Sequence, residues 1–245
     1  MRIRMFIGIV LMVFTLGNAS YPQNQGKDDS LDAAIKSFLQ AVEKNPNYAE
    51  AHYNLGILYN EKGMAEEALA EYKKTLEIEP NFAKAHNNLG VIYYETGQFD
   101  EAIECFKRAL AVSPQYIEAQ YNLGIVYYDK KQYADAVAAF KKTVELNPKF
   151  EKGYYNLGVT YAAMESLDES LAAFKKTVTI NPQFSDAYYN MGVVYTRKDQ
   201  LDEAVKSIQK ALELNPNDDK YHFALGVIYQ AKRKAKVSGG KLEKP

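Results

Sequence analysis

The sequence predicts an all-α fold, a solenoid of antiparallel helix pairs repeating every 34 residues. Three observations predict it. Prolines recur at Pro46, Pro80, Pro114, Pro148, Pro182 and Pro216, always 34 residues apart. A fixed period of that size marks stacked units rather than one compact core. Glycine recurs once per unit, at Gly56, Gly90, Gly124, Gly158, Gly192 and Gly226, and two apolar stripes at helical spacing run between successive prolines.

Aligned on the prolines, the chain holds five full units at 49–82, 83–116, 117–150, 151–184 and 185–218. A half unit precedes them at 29–48, and a half unit or capping helix follows at 219–236. Counting Ala49 as position 1, recurring residue types fall at positions 4, 7, 8 and 11, with His, Gln or Tyr at 4, Leu or Met at 7, Gly at 8 and Tyr at 11, and then apolar or small residues at 17, 20, 24 and 27. Each set is one face of a helix. Every unit is therefore a helix A and a helix B of about 14 residues, roughly 21 Å long. The proline forces the residue before it out of the α region and so ends helix B.

Individual positions carry further expectations. Glycine at position 8 costs about 1 kcal/mol relative to Ala inside a helix. Its recurrence predicts that B lies too close to A for a Cβ, with the small residues at position 20 (Ala68, Ala102, Ala136, Ser170, Ala204) as the matching surface. Asp32, Asp100, Asp168 and Asp202 stand where a cap could accept the free amides opening helix B. The fourth unit departs from the others, with Gly153, Ser170 and, where the first two units have Gly63 and Gly97, Glu165. It is the predicted soft joint.

The ends read differently. Arg2 and Arg4 precede an uncharged run from Met5 to Leu16, followed by Gly17-Asn18-Ala19. A positive start, a short apolar stretch and a small-x-small site describe an export signal at 1–19. Such a run is shorter than the ~20 residues a membrane helix takes. The chain is thus read as periplasmic or secreted, with anchoring to the inner membrane by residues 5–17 as the alternative. Residues 20–28 read as a polar linker and 237–245 as a basic tail. Lys and Arg number 30 against 31 Asp and Glu, which leaves no field to recruit nucleic acid. Cys105, the single cysteine, has no partner for a disulfide within the chain and reads as a buried thiol.

The order Leu-Gly, Tyr, Ala, Phe, Pro within each 34-residue unit resembles the tetratricopeptide repeat, TPR, over residues 29–236. That resemblance implies a right-handed superhelix whose A helices line a concave face. It also implies an interaction scaffold rather than an enzyme.

On the A-helix flank, position 6 is Asn54, Asn88, Asn122, Asn156 and Asn190. Five asparagines in helices cost roughly 3 kcal/mol against Ala. An amide offers a donor and an acceptor, so the row is expected to pair with an extended backbone. It resembles the asparagine ladder with which some TPR proteins clamp peptides. The competing reading is a bond to the neighbouring repeat. Position 5 carries Tyr53, Tyr121, Tyr155 and Tyr189, with Asn87 in the second unit and Phe223 in the closing one. These aromatics are expected to serve either the same peptide or inter-repeat packing. Replacing Asn88, Asn122 and Asn156 by Ala is expected to leave folding intact.

Catalysis is not expected. The three histidines, His52, His86 and His222, all occupy position 4, a packing position. There is no Cys–His pair, metal-spaced cluster or phosphate loop, so no cofactor and no metal is expected. The reading is a non-catalytic, exported scaffold that holds an extended peptide or partner helix, in assembly of an envelope, pilus or secretion complex. The alternative is a self-associating or membrane-anchored subunit that uses the uncovered N-terminal helix.

Overall fold

The structure is a computed structural model that describes residues 25–239. The export signal read at 1–19 lies outside the described residues. The described residues form twelve α-helices and no strand. They fall into two compact units. The first holds α1 (Gln25–Lys44), α2 (Ala49–Glu61), α3 (Ala65–Ile78), α4 (Ala83–Glu95), α5 (Phe99–Val112) and α6 (Ile117–Asp129). The second holds α7 (Tyr133–Leu146), α8 (Glu151–Ala163), α9 (Leu167–Ile180), α10 (Ser185–Arg197), α11 (Leu201–Leu214) and α12 (Asp219–Gly239).

Two boundaries move. Helix α1 opens at Gln25, so four residues read as linker are helical. Helix α12 runs to Gly239 and takes up the start of the basic tail. No helix among the described residues is long and apolar enough to cross a membrane.

The helix ends follow from the prolines. Glu79, Ser113, Asn181 and Asn215 each precede one, and their φ lies between −127° and −138° with ψ between 83° and 92°. That is the extended backbone a following proline imposes. The turn from helix A to helix B needs the left-handed region. Gly63 and Gly97 supply it at φ 75° and 77°, while Lys131, Glu165 and Asp199 are held there at 59–60°.

Close packing inside each helix pair explains the glycine at position 8. A Cβ on Gly56 would meet the Tyr72 ring at 2.5 Å, and one on Gly90 the Phe106 ring at 2.8 Å. In the second unit, Gly158 faces Phe174 at 2.6 Å and Gly192 faces Ile208 at 2.5 Å. The glycine thus admits first the bulky residue of position 24, with position 20 also close in the last two full repeats, where Ser170 bonds the Gly158 carbonyl and the Ala204 carbonyl lies 3.2 Å from a Cβ on Gly192. These large side chains are fully buried. Gly226, in α12, has nothing within 4 Å of a Cβ.

The aspartates are not caps. Helices α5, α9 and α11 open after Gln98, Ser166 and Gln200, and no side chain caps them. Asp100, Asp168 and Asp202 lie inside the first turn, where a negative charge suits the helix dipole. Each accepts from a lysine 30 residues later, Lys130, Lys198 and Lys232, as Asp32 does from Lys62. These pairs tie consecutive repeats together.

The fourth repeat is packed more tightly than its sequence implied. A Cβ on Gly153 would come 2.8 Å from Val144 Cγ1. Ser170 Oγ donates to the buried carbonyl of Gly158 at 2.7 Å. Glu165 holds the left-handed turn at φ 60°, where the first two repeats have glycine.

Candidate functional site

The A-helix flank is built from positions 5, 6, 9, 12 and 13. Its two predicted rows are coupled to each other. Asn88 Nδ2 donates to the Tyr53 hydroxyl at 3.4 Å and to the Tyr72 hydroxyl at 3.3 Å. Asn122 Nδ2 donates to Asn87 Oδ1 at 3.1 Å, and Asn190 Nδ2 to the Tyr155 hydroxyl at 3.0 Å. In each case the position 6 amide bonds position 5 of the repeat before, 35 residues back. Asn54 instead donates to the Glu50 carbonyl of its own helix at 2.7 Å.

Burial separates the row into two parts. Asn122, Asn156 and Asn190 are only 4, 3 and 1 % exposed. The open ladder expected there is corrected for Asn122 and Asn190: a buried amide must find partners inside the protein, and it finds them on the preceding repeat. Asn54 and Asn88 are half-buried. The tyrosines behave alike. Tyr121, Tyr155 and Tyr189 are buried, whereas Tyr53 is half-buried. Tyr155 stacks on Phe184 at 4.9 Å and Tyr189 on Tyr221 at 5.1 Å. Tyr53 packs against Phe82 at 4.8 Å. Burial raises the pKa of Tyr53 and Tyr72 above the usual phenol value, so both hydroxyls stay protonated donors.

An opening remains where the first two repeats meet. A cavity of about 210 Å³ is lined by Ile57, Asn60 and Glu61 of α2, Tyr72 of α3, and Asn88 and Val91 of α4. Asn60 and Glu61 are exposed, and Ile57, Asn88 and Val91 are half-buried. Amide, carboxylate and aliphatic groups thus converge on one recess, able to hold a polypeptide's polar backbone and an apolar side chain together.

The competing reading from the sequence, a bond to the neighbouring repeat, describes Asn88, Asn122 and Asn190; what the sequence did not name is the partner, position 5 of the repeat before. The signal was Asn87: where Tyr is absent at position 5, another hydrogen-bonding side chain stands in. The histidines are structural at Nε2, which bonds the carbonyls of Pro46, Pro80 and Pro216 at 3.0, 2.8 and 2.7 Å. No group of three potential metal ligands occurs among the described residues.

Comparison with known families agrees with this geometry. Residues 29–63, 58–97 and 92–131 match the family described as TPR repeat. Residues 117–150, 151–184 and 185–218 match that described as Tetratricopeptide repeat. The chain belongs to the tetratricopeptide repeat family. Its fold class is accordingly the all-α TPR solenoid. The structure of YrrB, "a TPR protein with an unusual peptide-binding site", is similar over 78 % of this chain and 98 % of that one, at 29 % identity and a TM-score of 0.69. MamA is similar over 66 % of this chain and 95 % of its own, at 33 % identity and 0.64. PilW, a type IV pilus biogenesis factor, shares the fold at 20 % identity, covering 83 % of this chain and all of its own, with a TM-score of 0.68. None of the curated proteins matches the chain.

Proposed function

We propose that this TPR protein is an exported, non-catalytic scaffold that grips an extended peptide or partner helix along its A-helix face. The recess at Asn88 is the observation that carries the reading. In it, Asn60 and the remaining acceptor capacity of Asn88 bond the partner's backbone, Ile57 and Val91 take an apolar side chain, and Tyr53, bonded to Asn88, flanks them, with Asn54 one turn before Ile57 as a further contact beside the recess. Asn122 in the first unit, and Asn190, Tyr155 and Tyr189 in the second, hold neighbouring repeats in register. Membership of an interaction-repeat family and likeness to YrrB, whose structure has a peptide-binding site, support the reading. The segment at 1–19 supports export, and with it a role in assembling an envelope, pilus or secretion complex.

A photoreactive residue placed at Asn60 tests this in the source cell. The proposal expects one defined cross-linked polypeptide in the envelope fraction, diminished by Val91→Glu. Cross-links unchanged by Val91→Glu, or equal from an outer position such as Glu169, count against it. Fusing residues 1–19 to a reporter active only outside the cytoplasm checks export separately.

A second reading is self-association through the chain's ends. Leu39 of α1 is 42 % exposed and Phe223 of α12 is 71 % exposed. Light scattering that stays monomeric across micromolar concentrations removes it.

A further inference from the structure

Two histidines at the same repeat position differ in one partner. His52 Nε2 donates to the Pro46 carbonyl, and its Nδ1 meets Glu71 Oε2 at 2.6 Å. His86 repeats the first bond, to the Pro80 carbonyl at 2.8 Å. Its Nδ1 has no hydrogen-bond partner, although the residue is only 5 % exposed. Thirty-four residues after Glu71 stands Cys105, which is shorter by a carboxyl arm. Beside His86 and Cys105 there is a cavity of about 490 Å³.

A buried polar atom left unpaired costs about 1–3 kcal/mol, and such a group on a residue that borders a cavity is where a ligand can complete the bonding. The first repeat shows what this imidazole accepts as a partner: a carboxylate. The cavity wall also carries Arg108, whose Nε donates to Glu104 Oε1 at 2.9 Å. That leaves its Nη groups, and a guanidinium fork matches carboxylate geometry. Leu76, Leu89 and Tyr93 supply an apolar wall.

We propose that this cleft, on the B-helix side of the first unit, binds a carboxylate carried on a short apolar stem. The carboxylate bridges His86 Nδ1 and Arg108, and the stem lies against Leu76, Leu89 and Tyr93. The carboxylate belongs to a polypeptide C-terminus, an acidic side chain or a free short-chain acid. The site is separate from the recess at Asn88 and does not depend on its role.

Charge makes the binding proton-linked. Facing His86 are Asp100, Glu101, Glu104, Cys105 and Arg108 from α5, Tyr93 from its own helix, and Lys73 of α3, which lies 5.8 Å from the Tyr93 ring. Asp100 is held by Lys130 and Glu104 by Arg108. Burial lowers the His86 pKa below 6.5 and outweighs the bond to Pro80, which acts the other way. Free His86 is therefore neutral at pH 7.5, with its proton kept on Nε2. Nδ1 becomes a donor to a carboxylate only when the ring gains a second proton. Affinity then rises about tenfold per pH unit of acidification above that pKa.

Nitrogen-15 NMR of the three imidazoles in the full chain, titrated with isovalerate at pH 7.5 and 6.5, is the test. The expected result is that His86 alone moves to imidazolium shifts, with a Kd about tenfold lower at pH 6.5. Cys105→Glu is expected to restore the arrangement of the first repeat. In that variant His86 becomes an imidazolium without ligand and isovalerate no longer binds. His86→Gln should also abolish binding; if it does not fold, Cys105→Glu decides alone. N-acetyl-Gly-Leu with a free terminus and N-acetyl-Gly-Glu-Gly-amide distinguish the sources, the tighter of them identifying a terminal or a side-chain carboxylate, and isovalerate tighter than both identifying a free acid. No movement of His86, binding independent of pH, binding retained in Cys105→Glu, or a soaked crystal holding only a water at Nδ1 overturns the proposal.

Discussion

The same substitution, Gly→Ala at position 8, should have opposite effects at two points of this chain. At Gly158, the new Cβ would lie 2.6 Å from Cδ1 and Cε1 of Phe174 and 2.9 Å from its Cζ. Comfortable carbon contacts lie at about 3.5–4.0 Å, so the ring must retreat by about an ångström. Phe174 is fully buried, so the ring can retreat only against other side chains of the core. Overpacking of this kind costs about 1–3 kcal/mol, while the gain in helix propensity returns about 1 kcal/mol. Gly158→Ala should lose up to about 2 kcal/mol. At Gly226 only the propensity gain applies, because nothing stands within 4 Å. Gly226→Ala should gain up to about 1 kcal/mol. Urea unfolding followed by circular dichroism reads both. Hydrogen exchange within α8–α9 guards against piecewise unfolding, to which repeat arrays are prone. Trimming the ring in Gly158→Ala/Phe174→Leu should recover part of the loss beyond additivity. Equal effects of Ala at Gly158 and Gly226, or a double variant that merely adds, would refute the packing argument.

Other expectations follow from particular residues. Lys131→Gly and Glu165→Gly, both at φ 60°, should each raise stability by about 1 kcal/mol by releasing left-handed strain; an unchanged urea midpoint contradicts this. Asn122→Ala should cost about 1 kcal/mol or more, since it leaves Asn87 Oδ1 without its donor, and a neutral result would restore the expectation of a dispensable amide row. Burial pushes the Cys105 thiol up to about 11, so at pH 8 it should react with a disulfide reagent far more slowly than in urea; equal rates contradict that burial. Because His86 has a lowered pKa in the fold, the unfolded chain binds the extra proton more readily. Its contribution to stability is full above pH 6.5 and lost as pH falls below it. In Cys105→Glu the sign should reverse as the new carboxylate raises that pKa, and identical stability profiles against pH would contradict this.

Much of the fold was legible because each repeat states its packing in one-dimensional form. The proline spacing set the period, and the bend before each proline is a local steric effect that needs no tertiary context. The glycine at position 8 announced a close approach. The ring of position 24 as its first contact was not legible, because periodicity shows which face meets which, and not how deep a ring reaches across it. The aspartates were misread as caps for a similar reason. Their lysine partners stand 30 residues away, at a distance that only the stacking of repeats turns into contact. The candidate site was legible as a row and not as a mechanism. Asn54, Asn88, Asn122, Asn156 and Asn190 look alike in sequence. Burial divides them: Asn122, Asn156 and Asn190 are closed off, while Asn88, which also bonds the preceding repeat, borders a recess. The unpaired nitrogen of His86 follows from Cys105 standing where Glu71 stands one repeat earlier, a comparison that acquires meaning only once the His52–Glu71 contact is seen.

The claim that the A-helix face grips a polypeptide at the recess of Asn88 is tested most directly by selecting peptides from a displayed random library on the wild-type chain. Their affinities for Asn88→Ala and Val91→Asp, and for the outer-face control Glu169→Ala, would then be measured. The account predicts peptides that lose at least about tenfold in affinity, roughly 1.4 kcal/mol, in both recess variants and nothing in the control. Peptides that bind all three variants as tightly as the wild type would contradict it.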